Sequence, residues 1–339
     1  MDKIERKHRR TVLLMGAALV LCVLGSFTLG RYPVSLRELL GVLGYRMGLP
    51  IKSFWTSSVE AAVWNIRLPR VILSVLVGAC LAAAGGAYQG VFQNPMASPD
   101  ILGASAGAGF GAALAILLGA SSMGITIGAF AASLLTVALV FNVSRHARGD
   151  RVLGLVLAGI MISSLFQSGT SFLKLVADPN NQLPQITYWL MGSLSGAKWS
   201  DIGFVLIPML SGLVPLLLLR WQLNVINMGD DEARAMGVDP RKIRLWIAVT
   251  STLVTASAVS VSGMIGWVGL VIPHMMRRLV GSDYRFLMPA SMLGGGIFLL
   301  IVDNVSRAVA GIPIGILTAF IGAPFFLWLI TGKGDHYAH

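Results

Sequence analysis

The sequence has little charge and only two cysteines. Of its 339 residues, 12% are charged and 55% are hydrophobic, whereas a soluble domain usually carries about 25% charged residues. This composition excludes an ordinary soluble domain and places the chain in a lipid bilayer. Cys22 and Cys80 lie in separate apolar stretches without a neighbouring histidine or cysteine. We interpret them as small buried side chains rather than as a disulfide or a metal site.

Several catalytic patterns are missing as well. The sequence contains no GxxxxGK(S/T) nucleotide-binding loop, no HExxH metal motif and no GxSxG nucleophile motif. We therefore expect a chain that is not an enzyme and carries no cofactor of its own. The formal charge is +11, but the basic residues lie in short segments between apolar stretches, without interleaved aromatic residues. That pattern favours membrane topology over nucleic-acid binding.

What the sequence does have is ten apolar stretches of about the length that crosses a bilayer as a helix. They predict an all-α integral membrane protein in which residues 1–339 form a single domain. The first stretch follows a basic tail, residues 1–11, and is longer than the apolar part of a signal peptide. The ten predicted spans are residues 12–30, 71–92, 101–119, 123–144, 152–173, 202–220, 244–262, 264–280, 286–303 and 313–330.

The distribution of basic residues predicts the orientation of these spans. If the tail is cytoplasmic, ten crossings return the C-terminus to the cytoplasm, and 17 of the 26 Lys and Arg residues lie inside. This bias agrees with the positive-inside rule and indicates the cytoplasmic (inner) cell membrane. Residues 31–70 become an extracytoplasmic connection that ends in a stiff Arg-Leu-Pro-Arg. Residues 222–243 become a cytoplasmic segment of two short helices, with Gly237 as a plausible C-cap.

One stretch is too polar and too rich in glycine and proline for a simple spanning helix. It is GAYQGVFQNPMASPDILGASAGAG, residues 86–109, and it predicts a broken helix inside the bundle. A weak internal repeat points the same way. Residues 66–68 and 243–245 both read Ile-Arg-Leu, and each precedes a small-residue helix and then a break with glycine and proline. In the predicted topology the two copies are inverted, as in many transporters.

Six stretches resemble the FecCD-type permease subunits of ABC importers for iron chelates, haem and vitamin B12. They are IRLPR (66–70), GGAYQGVFQNPMASPDILGASAGAG (85–109), YWLMGSLSG (188–196), LNVINMGDDEARAMGV (223–238), GMIGWVGLVIPHMMRRLVGSDYR (263–285) and IPIGILTAFIGAPFFLWLI (312–330). The resemblance implies the type II importer fold, with a pore formed by two permease copies or by this chain and a paralogue. It also implies separate cytoplasmic ATPase subunits, which would bind ATP and Mg²⁺, and an extracytoplasmic substrate-binding protein.

The resemblance implies roles for three groups of residues. Arginines on the outer side would receive acidic residues of the binding protein, although anchoring to lipid headgroups is the alternative reading; they are Arg67, Arg70 and Arg307. The segment that meets the ATPase, or else a solvated loop, contains Gly229, Asp230, Glu232, Ala233 and Gly237. The translocation path and inner gate, or else ordinary turns, contain Gln89, Asn94, Pro95, Met96, Gly149 and Asp150.

Two further polar residues leave a rival function open. A proton-coupled secondary transporter would need an ionisable residue such as Asp303 or His274 near the middle of the membrane. We interpret Asp303 as the partner of Arg307, four residues further along the same helix. We interpret His274 as a cap of a short helix beside Arg277 and Arg278. A membrane-embedded enzyme is the third alternative, but the sequence offers no clustered catalytic set for it.

The cargo is less clearly indicated than the class. A path rich in Gly, Ala, Ser and Met, with few charges, suits a bulky chelate, and the resemblance favours a ferric siderophore. Haem, cobalamin and an oxyanion are the alternatives. The chain also departs from the family pattern. Many relatives carry an acidic residue before the proline of the last helix, whereas Gly311 and Ile312 stand here, which leaves Asp303 alone to arrange the outer arginines.

Overall fold

The long apolar stretches form helices, since a helix satisfies every backbone polar group within its own segment. A computed structural model describes residues 3–29, 34–146, 151–309 and 311–331. The α-helices are α1 (Lys3–Thr28), α2 (Leu36–Arg46), α3 (Ser57–Ala61), α4 (Leu68–Val91), α5 (Ala104–Leu117), α6 (Ser122–Arg145), α7 (Arg151–Val176), α8 (Gln182–Leu190), α9 (Trp199–Leu218), α10 (Arg220–Met228), α11 (Asp230–Ala235), α12 (Pro240–Ser262), α13 (Val268–Val280), α14 (Tyr284–Ala308) and α15 (Ile314–Thr331).

Ten of these helices coincide with the ten predicted spans. Within the described residues, seven helical segments are long and apolar enough to cross a membrane: α1, α3 continued through α4, α6, α7, α9, α12 and α14. The other three predicted spans correspond to α5, α13 and α15, which have 14, 13 and 18 residues. The predicted all-α membrane fold is therefore confirmed.

Two predicted boundaries differ from the structure. Residues 1–11 were expected to form a tail, but α1 already begins at Lys3. The Arg-Leu-Pro-Arg sequence was expected to form a stiff corner outside the membrane, but it continues a helix that runs from Ser57 to Val91. A π-helical stretch, Ala62–Arg67, ends two residues before Pro69. Because proline lacks the N–H for a regular helical hydrogen bond, this wider stretch lets the helix continue past it.

Helix α4 lies at the centre of the bundle and packs against α12, α13 and α14. Glycine pairs allow two of these helices to approach closely. A Cβ atom on Gly78 would overlap the carbonyl group of Gly295 on α14, and one on Gly85 would overlap that of Gly269 on α13. Such backbone contact is typical of helices packed inside a membrane.

The predicted break in residues 86–109 is present. Helix α4 ends at Val91, a 3-10 turn covers Pro99–Leu102, and α5 starts after Gly103, whose φ is +75°. A second break separates α12 from α13. The two predicted repeat units therefore share one order of elements, which is a helix of 24 or 23 residues, a break, and a helix of 14 or 13 residues.

The segment 222–243 contains the two predicted short helices, as the end of α10 and the whole of α11. Helix α11 starts with three acidic residues, which suit the positive end of the helix dipole. After α11, Gly237 adopts a φ of +78°, and its N–H donates to the carbonyl of Arg234. This left-handed residue ends the helix as predicted, one residue beyond the C-cap Met236.

Candidate functional site

A large cavity lies along α15, between that helix and the two breaks. Its volume is about 870 Å³. Its polar lining side chains are Ser98, Asp100, Ser105 and Thr255. Its remaining lining residues are Leu81, Pro99, Leu190, Met191, Met264, Ile265, Gly266, Trp267, Gly269, Leu270, Gly315, Ile316, Ala319, Phe320, Ala323 and Pro324. The cavity extends from Gly315 to Pro324, which is about 14 Å along a helix at 1.5 Å per residue.

Trp267, the residue just before α13, lies in this cavity wall and contacts α15. Its φ is +72°, in the left-handed region that bulky residues rarely occupy. A Cβ atom added to Gly322 of α15 would lie 2.5 Å from Cγ and Cδ2 of the indole. The indole therefore rests directly on the backbone of α15, and a residue held in this rare conformation fixes the contact between the two helices.

Of the residues predicted for the translocation path, the four that the structure describes do not line this cavity; they are Gln89, Asn94, Pro95 and Met96. Asn94, Pro95 and Met96 are exposed in the turn after α4, where the Asn94 side chain accepts a hydrogen bond from the N–H of Met96. Gly149 and Asp150 lie outside the described residues. The stretch 86–109 still contributes to the cavity, but through residues 98–100 and 105 rather than through these positions.

Gln89 belongs instead to a buried polar network that we call the Arg277 network. Its side-chain oxygen accepts a 2.5 Å hydrogen bond from Nη1 of Arg277, and its Nε2 donates to the carbonyl of Leu270 at 3.2 Å. Arg277 also donates to the hydroxyl of Tyr284 at 3.2 Å, and that hydroxyl donates to the carbonyl of Gly86 at 3.1 Å. The network thus connects α4, α13 and α14.

The same network reaches the segment 222–243. The side-chain oxygen of Asn224, on α10, accepts a hydrogen bond from the N–H of Tyr284 at 2.8 Å. Its Nδ2 donates to Asp283 at 2.7 Å. Nearby, Gln93 donates to the carbonyl of Ile226 at 3.3 Å. Side chains therefore hydrogen-bond α10 to the ends of the spanning helices at this end of the bundle.

At the opposite end of α4, two of the predicted arginines meet a buried carboxylate. Nε of Arg70 lies 2.9 Å and 3.1 Å from the two carboxylate oxygens of Asp303, and its Nη2 lies 2.9 Å from Oδ1. The predicted pair within α14 also forms, with Nε of Arg307 3.4 Å from Oδ2 of Asp303. Asp303 is completely buried. It therefore joins α14 to α4 through Arg70 and pairs within α14 with Arg307.

The other donors of this group reach the end of α1. Nη2 of Arg307 donates to the hydroxyl of Ser26 at 2.5 Å and also to the side-chain oxygen of Asn304. Ser26 in turn donates to Asn304 at 2.8 Å. Arg67 donates to the carbonyl of Phe27. We call Arg67, Arg70, Asp303 and Arg307 the arginine cluster; it holds together the ends of α1, α4 and α14.

The arginine cluster is more enclosed than the sequence suggested. Arg67 is 6% exposed, and the side chains of Arg70 and Arg307 are 12% and 11% exposed. The sequence could not show this enclosure, because it depends on the packing of α1, α4 and α14 against one another. In the structure these side chains instead fold onto Asp303 and the end of α1.

The charged residues of α11 are arranged around Asp230. Nη1 and Nη2 of Arg244 donate to its two carboxylate oxygens at 3.0 Å and 2.6 Å. The hydrogen bond from Arg244 lowers the pKa of Asp230 below its usual value. Glu232 is exposed. Ala233 is completely buried, so its side chain supports the helix from inside and does not lie on the outer surface.

One interpretation of the sequence was wrong. His274 does not cap a short helix, because it lies inside α13, one residue after Pro273, and is buried. Its ring packs edge-on against Phe325 of α15, with centroids 6.4 Å apart. The apolar neighbours of His274 in IPHMM give no signal for a helix cap. The predicted span 264–280 contains His274, but its weak boundaries left the start of the helix undefined.

The sequence analysis missed the part of the cavity wall formed by residues 264–270 and 315–324. Each stretch is apolar and glycine-containing, like many other stretches of the chain. Only the fold brings them together with residues 98–105. The one local signal was the Gly-Met-Ile-Gly-Trp sequence, residues 263–267, which marks a break like that of residues 86–109.

Comparison with known proteins agrees with this architecture. Residues 18–332 match the model of the FecCD transport family. The chain is 38% identical to the molybdate import permease MolB of Haemophilus influenzae, over 93% of this chain and 94% of that protein. It is 38% identical to the hemin transport permease HmuU of Yersinia pestis, over 95% and 96%. It is 39% identical to the cobalamin import permease BtuC of Halobacterium salinarum, over 84% and 77%.

A solved structure shows the same fold. It is an inward-facing transporter assigned to the metal-chelate type of ABC transporter, and it matches with a TM-score of 0.84 and 37% identity over 95% of this chain and 99% of that one. Sequence and fold thus agree over almost the whole length. The chain belongs to the FecCD transport family and is a membrane permease of an ABC importer.

Proposed function

We propose that this chain forms the pathway through which an ABC importer moves an iron chelate, with a ferric siderophore as the favoured cargo. The observation that carries this proposal is the 870 Å³ cavity along α15 and its predominantly apolar wall. A cavity of this size is in the range that holds a drug-sized molecule. It is far larger than a bare metal ion requires.

The wall of the cavity also discriminates between cargo classes. Among the described lining residues there is no Lys, Arg or His, and Asp100 is the one charged side chain. This wall therefore offers an oxyanion a like charge and no cationic partner. A bulky chelate with apolar surface suits the same wall. Haem and cobalamin remain alternatives of similar character, and hemin and cobalamin are the cargoes in the names of two relatives.

We propose that a second permease copy, or a paralogue, covers the open side of this cavity. Gly266, Phe320 and Pro324 are lining residues that are exposed in the single chain. A path for a polar chelate must be closed against lipid, because hydrocarbon solvates polar groups poorly. A partner chain of the same kind supplies a matching wall, and the commonest arrangement of such pairs is a two-fold dimer.

The opposite ends of the bundle suit the two other proposed partners. Segment 222–243 presents Asp230 and Glu232 beside a groove of about 610 Å³, lined by Arg234, Asp239 and Arg241 among others. We assign this surface to a separate ATPase that binds ATP and Mg²⁺. We assign the arginine cluster to an extracytoplasmic binding protein, since guanidinium groups pair well with carboxylates. Both termini are then cytoplasmic, in the cytoplasmic membrane.

Affinity purification of the tagged chain from its native membrane, followed by mass spectrometry, tests this proposal. We expect an ATPase with a nucleotide-binding loop and a secreted binding protein to be recovered with it. The ligand bound to that protein is expected to contain ferric iron held by an organic chelator. Recovery of the chain alone after gentle extraction would contradict the proposal. Recovery of a binding protein that holds molybdate would contradict the cargo only.

A further inference from the structure

We propose that Asp303 is a resident competitor for the docking arginines, so that an acidic partner docks on this chain by carboxylate exchange. The inference rests on the proposed docking of a binding protein at the arginine cluster. It adds a specific step, in which the carboxylate of the partner replaces that of Asp303 on the Nε–Nη2 face of Arg70.

The geometry shows that one face of the Arg70 guanidinium, formed by Nε and Nη2, is engaged by Asp303 before any partner arrives. Its Nε contacts both oxygens of Asp303, and its Nη2 contacts one of them at 2.9 Å. This is the two-point pairing that makes arginine–carboxylate contacts strong and directional. A second carboxylate cannot form the same pairing with Arg70 while Asp303 occupies it.

Charge makes the exchange feasible. Within the arginine cluster, Arg70 and Arg307 share the one carboxylate of Asp303, and the charges of Arg70 and Asp303 both act on Arg307. Nε of Arg307 lies 3.4 Å from Asp303 without hydrogen-bond geometry. Positive charge is therefore in excess in an enclosed place, where an added carboxylate is strongly attracted. After the exchange, Asp303 keeps Arg307 as its counter-ion and is not left buried and unpaired.

The exchange also has a structural consequence. Arg70 lies on α4 and Asp303 on α14, so their ion pair joins the two helices at this end of the bundle. A partner that takes Arg70 from Asp303 releases that connection. Docking and the loss of this ion pair between the two helices are thereby one event.

Two isosteric substitutions test the competition in opposite directions. Asp303→Asn removes the resident carboxylate. Asn304→Asp adds another, because the side-chain oxygen of Asn304 already accepts hydrogen bonds from Arg307 and Ser26. The second variant reduces the charge imbalance and so should fold even where Asp303→Asn does not. Ser74→Ala is the control, since it removes only a hydroxyl that donates to the backbone carbonyl of Arg70.

The experiment measures the dissociation constant of the binding protein that co-purifies with the tagged wild-type chain, using the assembled complex in lipid nanodiscs at low salt. We expect Asp303→Asn to bind it about tenfold more tightly and Asn304→Asp about tenfold more weakly, as close charge pairs in interfaces permit. High salt should reduce both differences. Ser74→Ala should match the wild type.

Two results would overturn the inference while leaving the proposed docking intact. The first is weaker or unchanged binding by folded Asp303→Asn, which would make Asp303 a support of the arginines rather than a competitor. The second is unchanged binding by Asn304→Asp. If Arg70→Gln combined with Arg307→Gln leaves the dissociation constant unchanged, or if no binding protein is recovered, docking at the cluster and the exchange both fall.

Discussion

At the level of single residues, this protein places its few polar side chains where helices meet. Arg277 is one example, because it lies inside the bundle with the neutral partners Gln89 and Tyr284. Asp303 is another, because it is wholly buried between Arg70 and Arg307. Polar groups in a membrane are costly unless they are satisfied in this way. Their removal should therefore have measurable effects.

The hydroxyl of Tyr284 is the best single test of the Arg277 network. Tyr284→Phe removes a donor to the carbonyl of Gly86 and an acceptor for Arg277. We expect the free energy of unfolding to fall by about 1–3 kcal/mol, because a buried charged donor loses a partner. Thermal unfolding in detergent measures the change. Tyr45→Phe, at a half-exposed tyrosine of α2, is the control, and equal effects of the two substitutions would contradict the role given to Tyr284.

The pair of Asp230 and Arg244 predicts a pH dependence in the segment 222–243. The pKa of Asp230 is lowered by its hydrogen bond from Arg244, so the stabilisation is present above the ordinary aspartate pKa and is lost as the pH falls through the lowered value. Asp230 should therefore stay ionised between pH 7 and pH 5. The hydrogen-exchange protection of α11, corrected for intrinsic exchange rates, should not change in this range through protonation of Asp230.

Arg244→Gln tests the same pair directly. We expect it to reduce the protection of α11 by less than about 1 kcal/mol, because the pair is partly exposed and screened by solvent. Lys242→Gln is a control, because Lys242 lies 3.9 Å from Asp239 and is largely exposed. A loss of protection in the control that equals the loss in Arg244→Gln would contradict the importance of the Asp230 pair.

From the sequence, the chemical type of a site residue could be predicted better than its surroundings in the fold. It selected Arg67, Arg70 and Arg307, and the structure brings all three to one place. It could not show that they are enclosed, nor that Ala233 is buried, because enclosure depends on helices that are distant in sequence. The same limit applies to Gln89, whose partner Arg277 is 188 residues away.

At the level of elements, the contact of α13 with α15 determines the shape of the cavity. Gly322→Ala places a methyl group against the indole of Trp267. We expect the helices to separate and the free energy of unfolding to fall by about 1–3 kcal/mol, as for other overpacked sites. A cysteine introduced at Ala319, in a Cys22→Ser and Cys80→Ala background, should react faster with a maleimide.

The chain offers a matched control for this substitution. Gly266 lines the same cavity, but a Cβ atom there would meet no other heavy atom within 4 Å. Gly266→Ala should therefore change neither stability nor labelling. If the two glycine variants behave alike, the contact between Trp267 and α15 does not close this part of the cavity wall.

Element positions were largely predictable from sequence, since a bilayer needs apolar stretches of about 20 residues and each such stretch formed a helix. The break after α4 was predictable from its Asn, Pro and Asp residues. The continuous helix from Ser57 to Val91 was not, because Pro69 is usually a sign of a helix start or corner. The π-helical stretch that lets the helix pass this proline has no clear sequence signal.

At the level of the whole molecule, the proposed pathway is incomplete in a single chain. If a second copy covers the cavity, Phe320→Cys in the cysteine-free background should cross-link to its equivalent in native membranes. Leu14→Cys, on an exposed part of α1, should not. Cross-linking at Leu14 and not at Phe320 would place the interface elsewhere.

The central claim is that this family member works as an ATP-driven import path and not as a proton-coupled carrier. The most direct measurement is cargo uptake by liposomes that contain the chain with its co-purified ATPase, with the binding protein and its ligand added on the outside. We expect uptake that requires ATP, the ATPase and the binding protein, and that does not respond to a proton gradient. Uptake by the chain alone, driven by a proton gradient and abolished by Asp303→Asn or His274→Ala, would contradict it.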